Sequence, residues 1–346
     1  MVSISARKLE RLGRVADGRG VIAAAAMDQR GSLKKSIAKA MSLSPEGVPD
    51  EVMVEFKTAV SKVLTPYASS ILLDPEYGLP AVKAKAPTAG LLMAYEKTGY
   101  DNTQPGRLSD LIDGVSVARQ VEYGADAIKL LLYYTPFEQP RVNEIKKAWV
   151  ERIGAECAQN EIPFFMEVVC YSPTGEDEKG VEFARRKPEA VIGNMKEFCQ
   201  PRYRVDVLKV EFPFNIEFVE GSRANRAGSC AYTRREAQDA ARRASETSCL
   251  PFIYLSAGVD DDVFRESLEL VGEAGVDFAG VLCGRATWKD GIPIYAKHGV
   301  RALEDWLADR GVKNIQALNK VLEHTARPWW NRYGGRDQIR TVDRTP

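Results

Sequence analysis

Short apolar runs rich in Val, Ile, Leu and Ala alternate with longer amphipathic stretches from end to end of this chain, and the alternation limits its fold more than any other feature. A strand buried on both faces reads as a continuous apolar run. A helix laid on a sheet reads as an apolar stripe among charges, so the pattern is that of a parallel sheet with crossover helices. The strand candidates are Val21–Ala26, Ser69–Asp74, Leu91–Tyr95, Ala125–Leu131, Pro163–Val169, Val205–Glu211, Phe252–Leu255 and Phe278–Leu282. That is the number needed to close a (β/α)8 barrel. The clearest helix candidates are Pro49–Leu64, Arg107–Tyr123, Glu144–Ala158, Thr233–Glu246, Asp260–Ala274 and Val300–Asp309. Gly-Ala-Asp at 124–126 and Gly-Val-Asp at 275–277 each stop a helix on glycine and open the next strand, a punctuation repeated within one βα plan.

No Pro/Ser-rich linker or break in composition divides the 346 residues before about residue 330. The expected architecture is therefore one α/β domain over 1–330, a (β/α)8 TIM barrel with a short N-terminal helical segment. Residues 331–346 are polar, rich in Arg and Gly and without periodicity, and read as a disordered tail. An open doubly wound sheet fits less well, because Met27-Asp28-Gln29-Arg30-Gly31 stands where a glycine-rich nucleotide loop would follow the first strand.

Only His298 and His324 represent histidine, and both lie late in the chain, outside the strand candidates. A catalytic zinc site takes two or three His ligands as a rule, and a Ser-His-Asp triad needs one held by a carboxylate, so both chemistries are nearly excluded. Lys, Asp, Glu or Tyr must then move the protons of any reaction. The six cysteines include no CxxC pair and suggest neither a disulfide framework nor a thiolate metal site. No metal and no cofactor is expected. Lys plus Arg equals Asp plus Glu at 48 each, so no overall field draws in nucleic acid or an anionic membrane, and a phosphorylated partner would need a local anion site. The opening stretch Met1–Gly20 is charged and lacks the apolar run of a signal peptide, and no later apolar run approaches the length that spans a bilayer, so a cytoplasmic location is expected.

In a barrel of this kind reactive groups project from the carboxyl ends of the strands, so a charge closing an apolar strand is the feature to seek. The sixth strand candidate, Val205–Glu211, puts Val207, Lys209 and Glu211 on one face by its period of two. Bringing a lysine from about 10.4 to about 7 takes roughly 4–5 kcal/mol against the ammonium, which burial plus a neighbouring cation can supply. The neutral amine can then attack a ketone. Lys129 on the fourth strand is the candidate neighbouring cation, Glu167 on the fifth is a carboxylate placed to shuttle protons, and Asp28 closes the first. The small run Ala23–Ala26 before Asp28 would leave room for substrate. Singly, each has a plainer reading: strand lysines are more often salt-bridged than nucleophilic, and carboxylates at strand ends commonly cap the next helix. The coincidence of four charged strand ends facing one cavity favours a site.

The last two strands, where barrels often hold phosphate, are followed by Leu255-Ser256-Ala257-Gly258 and Cys283-Gly284-Arg285-Ala286-Thr287. Ser256 and Gly258 would supply a hydroxyl and close backbone approach, and Gly284 and Arg285 a second close approach and a guanidinium fork. Each is weak alone and could be an ordinary turn.

Taken with the blocks Met27–Gly31, Thr65–Gly78, Tyr95–Asp101, Lys129–Tyr134, Asp206–Glu211, Leu255–Val259 and Cys283–Trp288, the chain resembles the class I tagatose 1,6-bisphosphate aldolases of the LacD-like kind over nearly its whole length to about Trp330. The resemblance implies a (β/α)8 fold and cleavage of D-tagatose 1,6-bisphosphate to dihydroxyacetone phosphate and glyceraldehyde 3-phosphate, with relaxed stereochemistry, in lactose or galactose use. It also implies Lys209 as the Schiff-base lysine, Glu167 as the acid/base, and Asp28, Glu96 and Lys129 around the reacting carbons. By the same resemblance Gln29 and Arg30 lie near the substrate, and Ser256, Gly284 and Arg285 hold a phosphate. The expected partner is a phosphorylated ketose, and a homo-oligomer is expected. Two rivals stand beside this reading: a sulfofructose 1-phosphate aldolase on the same scaffold, separable by comparing the two substrates, and a non-catalytic sugar-phosphate sensor, which would bind without turnover.

Overall fold

The computed structural model describes residues 2–226 and 228–343. Its strands are β1 Val2–Ser5, β2 Ile22–Ala26, β3 Ser70–Leu73, β4 Gly90–Ala94, β5 Ala127–Tyr133, β6 Phe164–Val169, β7 Val207–Val210, β8 Phe252–Leu255, β9 Gly280–Cys283 and β10 Ile339–Val342. Strands β2 to β9 close a barrel in chain order, every neighbouring pair parallel, and β1 pairs with β10 in a separate two-stranded sheet. The eight barrel strands fall within the eight apolar runs to within one or two residues, because a strand covered on both faces needs unbroken apolar sequence.

Side chains alternate along each strand, so each strand feeds two cores. Ile22, Ala24 and Ala26 of β2, Leu72 of β3, Leu92 and Ala94 of β4, Ala127 of β5, Phe165 of β6, Val207 of β7, Ile253 of β8 and Leu282 of β9 form one cluster, the barrel interior. The alternate residues, among them Ile71, Met93, Ile128, Phe164 and Leu208, pack with Phe56, Val150 and Phe198 of the surrounding helices. Ala24 and Ala26 belong to this inner cluster, and Ala23 and Ala25 to the outer one.

The N-terminal segment closes the bottom of the barrel. Ser5 caps the helix Ala6–Val15 by accepting the Lys8 N–H. From that helix Leu12 and Val15 enter the inner cluster, each burial contributing about 1.5–3 kcal/mol. Lys8 bonds Asp206 at 2.8 Å and Arg14 meets Asp126 at 3.3 Å, both partners lying just ahead of a strand, while Ser69 and Ser70 donate to the Val15 carbonyl.

Two expectations are corrected. The helix expected over Arg107–Tyr123 is formed only at Val117–Glu122. Leu108, Leu111, Ile112 and Val115 have helical spacing, but Asp110 accepts the Leu111 N–H on its side chain and the Lys97 N–H on its carbonyl, and the stretch is held by antiparallel bridges Glu96–Leu111 and Asp101–Leu108. The tail is ordered through Asp343: Trp329 packs in the inner cluster, its N–H donating to the Gly20 carbonyl, and β10 registers against β1 from Val2–Ile339 to Ser5–Val342. Tyr333 and Ile339 of the tail itself pack against that cluster, a role that its charge and lack of period concealed. Residues 344–346 of the expected tail lie outside the described residues. Gly124 and Gly275 do end their helices with positive φ, +92° and +71°, as the two Gly-x-Asp signals require.

Candidate active site

The parity that makes Phe165, Val207 and Ala127 interior residues carries Glu167, Lys209 and Lys129 to the interior one step higher, at the carboxyl end of the barrel. Glu167 and Lys209 are register partners on β6 and β7. Their charged ends meet: Glu167 Oε1 lies 2.8 Å from Lys209 Nζ, and Oε2 lies 2.7 Å from Lys129 Nζ. Lys129 also touches Asp28 at 2.9 Å and Glu96 at 2.8 Å. Lys129, Lys209 and Glu167 are 1%, 4% and 6% exposed, so these pairs lie out of bulk water, where their Coulomb energy is little screened. Four charged groups expected separately from strand ends, joined by Glu96, which the resemblance implied, thus form one network.

The network fixes which groups carry protons. Burial alone would drive Lys129 towards neutrality, but Asp28, Glu167 and Glu96 outweigh it and hold its ammonium well above the usual lysine range. Burial would likewise raise the Glu167 carboxyl, yet Lys129 and Lys209 bring it below its ordinary value. The same contest leaves Asp28 well below the carboxylate range, with Lys129 and Lys209 again the chief opponents of burial. The Glu167 carboxylate stands between the amines of Lys129 and Lys209. Among the described residues no group of three His, Cys, Asp or Glu side chains is placed to hold a metal ion.

Around this network lies a supporting layer, of which sequence reasoning named Gln29 and Arg30 and missed Lys57 and Asp74. Lys57, from the helix Asp50–Leu64, is fully buried and donates to Asp74 Oδ2 at 2.6 Å and to the carbonyls of Met27 and Gln29, the residues on either side of Asp28. Asp74 also accepts the Glu76 and Tyr77 N–H groups. Asp74 closes the third strand candidate and meets the criterion applied to the other strands; Lys57 sits beside Phe56 in an apolar stripe and gave no signal. Arg30 is buried, pairs with Glu76 at 2.9 Å and donates to the Glu96 carbonyl at 2.7 Å, which ties the loop after β2 to that after β4. Gln29 donates to Asp28 at 3.1 Å.

The loops after β8 and β9 meet where Arg285 lies against Gly258. Ala257 and Gly258 are both left-handed, with φ +49° and +78°. A Cβ at 258 would fall 2.6 Å from the guanidinium carbon of Arg285, so only glycine lets that side chain lie against the backbone. A Cβ at Gly284 would fall 3.2 Å from the Gln29 amide nitrogen, which puts the β9 loop beside the loop after β2. Ser256 and Gly258 border a cleft of about 510 Å³ whose other walls include Lys187, Glu211 and Phe212. Every candidate is thus placed at the carboxyl end of the barrel: Asp28, Glu96, Lys129, Glu167 and Lys209 in contact, Gln29 and Arg30 against them, and Ser256, Gly258, Gly284 and Arg285 on the adjoining rim.

A closed (β/α)8 barrel with amines and carboxylates gathered at one mouth is the construction of a barrel aldolase, and comparison with known proteins gives the family. Residues 22–290 match the model of the DeoC/LacD family aldolases. A tagatose 1,6-diphosphate aldolase from Listeria monocytogenes is 49% identical over 345 residues, 99% of this chain and 100% of its own length. Tagatose 1,6-diphosphate aldolase 2 from Enterococcus faecalis is 50% identical over 329 residues, 95% and 97% of the two chains. A fructose-bisphosphate aldolase structure from Plasmodium falciparum superposes with a TM-score of 0.64 at 15% identity, covering 91% of this chain and 96% of that one, a likeness of fold. The chain belongs to the DeoC/LacD aldolase family. No helix among its described residues is long and apolar enough to cross a membrane.

Proposed function

We propose that the protein is a class I aldolase that cleaves D-tagatose 1,6-bisphosphate to dihydroxyacetone phosphate and glyceraldehyde 3-phosphate, with Lys209 as the Schiff-base residue. The observation that carries this reading is the single carboxylate of Glu167 bridging two buried lysines, at 2.7 and 2.8 Å. The near full-length likeness to the Listeria and Enterococcus proteins supports the substrate.

The two lysines are not equivalent. Lys129, held protonated by three carboxylates, is a fixed cation suited to a developing oxyanion and a poor nucleophile. Lys209 has one carboxylate partner, which can take its proton. The free amine attacks the C2 ketone, and Glu167 returns the proton to the carbinolamine hydroxyl, which leaves as water and gives an iminium. Removal of the C4 hydroxyl proton breaks the C3–C4 bond, its electron pair passing into the iminium to give an enamine as the aldehyde departs. Protonation at C3 and hydrolysis then release dihydroxyacetone phosphate and the amine. Asp28 and Glu96, both on Lys129, border the space for the reacting carbons, and Ser256, Gly258, Gly284 and Arg285 would hold the phosphate next to C2, with Gln29 and Arg30 beside the chain.

Borohydride added during turnover should trap a covalent adduct on Lys209, located by peptide mass mapping, while a chelator leaves the rate unchanged. Loss of activity in chelator with no trapped adduct would reject the reading.

A further inference from the structure

We propose that Arg107 grips the phosphate at the end of the substrate remote from the β8 and β9 loops; this rests on the reading of the substrate as a ketose bisphosphate. In an eight-strand barrel closed in chain order, β5 lies across the mouth from β9. A substrate with one phosphate on the loops after β8 and β9 and its ketone on β7 must therefore run its other end towards the β4–β5 side. The top of that wall is Tyr133, on the same face of β5 as Lys129 and four residues beyond it, about 13 Å along the strand. The Arg107 guanidinium lies against the Tyr133 ring, which puts the arginine at the top of this wall.

Arg107 is presented there by an unusual piece of chain. Its φ is +49°, a left-handed conformation in a residue with a side chain, next to Gly106 at +92°. Strained backbone of this kind persists where the surroundings impose it and gathers at ligand clamps. The guanidinium lies 5.0 to 5.7 Å from the ring centres of Tyr171, Tyr100 and Tyr133. Its two terminal nitrogens meet Glu178 at 3.2 and 2.5 Å, which occupies one edge of the fork and leaves Nε–H and the outer hydrogens for another acceptor. About a quarter of the side chain is exposed, and an opening of about 220 Å³ lies against it between Tyr100, Tyr171 and Ser172. The two carboxylates lining that opening are already engaged, Asp101 by Thr103 and Gln104 and Glu138 by the Tyr171 hydroxyl. Arg107 is thus a stacked, oriented cation with donors to spare, the form that binds a phosphate monoester with specificity.

The test compares D-tagatose 1,6-bisphosphate with D-tagatose 1-phosphate as substrates of the full-length enzyme and its Arg107→Ala and Arg107→Lys variants. The expected result is a fall in kcat/KM of tens-fold for the bisphosphate, carried mainly by KM, with a loss under threefold for the 1-phosphate and partial recovery in the lysine variant. Equal losses for both substrates would make Arg107 a loop fastener and overturn the inference alone. So would no loss with either substrate, or unmodified enzyme that cleaves the two equally well. Unmodified enzyme that cleaves neither would overturn the bisphosphate reading and this inference with it.

Discussion

Glu167 on β6 and Lys209 on β7 are partners in register, and their charged ends meet at 2.8 Å inside the barrel. Register makes this contact insensitive to loop movement, since shifting it would slide one strand past the other and reverse which side chains face inward. The proton path between amine and carboxylate is therefore set by the sheet itself.

Glu167→Gln keeps the shape and removes the base. The expected outcome is a loss of kcat on the order of 10²–10⁴-fold with an unchanged circular dichroism spectrum and slower trapping by borohydride. Turnover within threefold of the parent enzyme would assign proton transfer elsewhere.

Lys129→Met leaves Asp28, Glu96 and Glu167 around one another without their shared cation. Breaking a buried pair from one side costs about 3–5 kcal/mol, read from urea unfolding at pH 7. Adding Asp28→Asn should return part of it. An additive double variant would show that the groups are not coupled.

The pH dependence has a definite sign. Asp28 and Glu167 have folded pKa values below their unfolded ones, near 3.9 and 4.3, so their stabilisation is fully present above about pH 5 and is lost as pH falls through the folded values. Lys129 has a folded value above the unfolded 10.4 or so; its stabilisation is fully present below about pH 9 and is lost as pH rises through the folded value. The urea midpoint of the enzyme should therefore fall on acidification from pH 5 to pH 3, and Asp28→Asn should make that fall shallower. A midpoint that climbs over this interval would contradict the charge assignment.

Lys57→Met should act at a distance of one shell. It strands Asp74 in the interior and frees the carbonyls beside Asp28, so about 3–5 kcal/mol of stability and most of the activity should go together. Full activity in a destabilised variant would separate the Lys57 pair from the positioning of Asp28.

Trp329→Ala should do the opposite. The indole is 2% exposed at the closed end of the barrel, away from the reacting groups, and its loss should cost roughly 3–5 kcal/mol while kcat is retained at a temperature where the variant is folded. A fall in kcat at full folding would show coupling between the two ends.

Local sequence was enough for the barrel. Eight apolar runs and two Gly-x-Asp punctuations are covalent facts that act over a few residues, and strand parity follows from them, so Asp28, Lys129, Glu167 and Lys209 could be read as inward groups at one level. The same locality produced the errors: the spacing of Leu108, Leu111, Ile112 and Val115 looked helical until Asp110 bound the backbone, and the tail looked loose although Trp329 anchors it. What only the tertiary structure decided is which charges touch. That Glu167 stands between the two lysines, that three carboxylates fix one of them as a cation, and that Lys57 reaches Asp74 from an outer helix depend on distances of a few ångströms between residues far apart in the chain. Burial makes those distances decisive, because in the dry interior a charge takes its protonation state from the neighbour it meets and not from its place in the sequence.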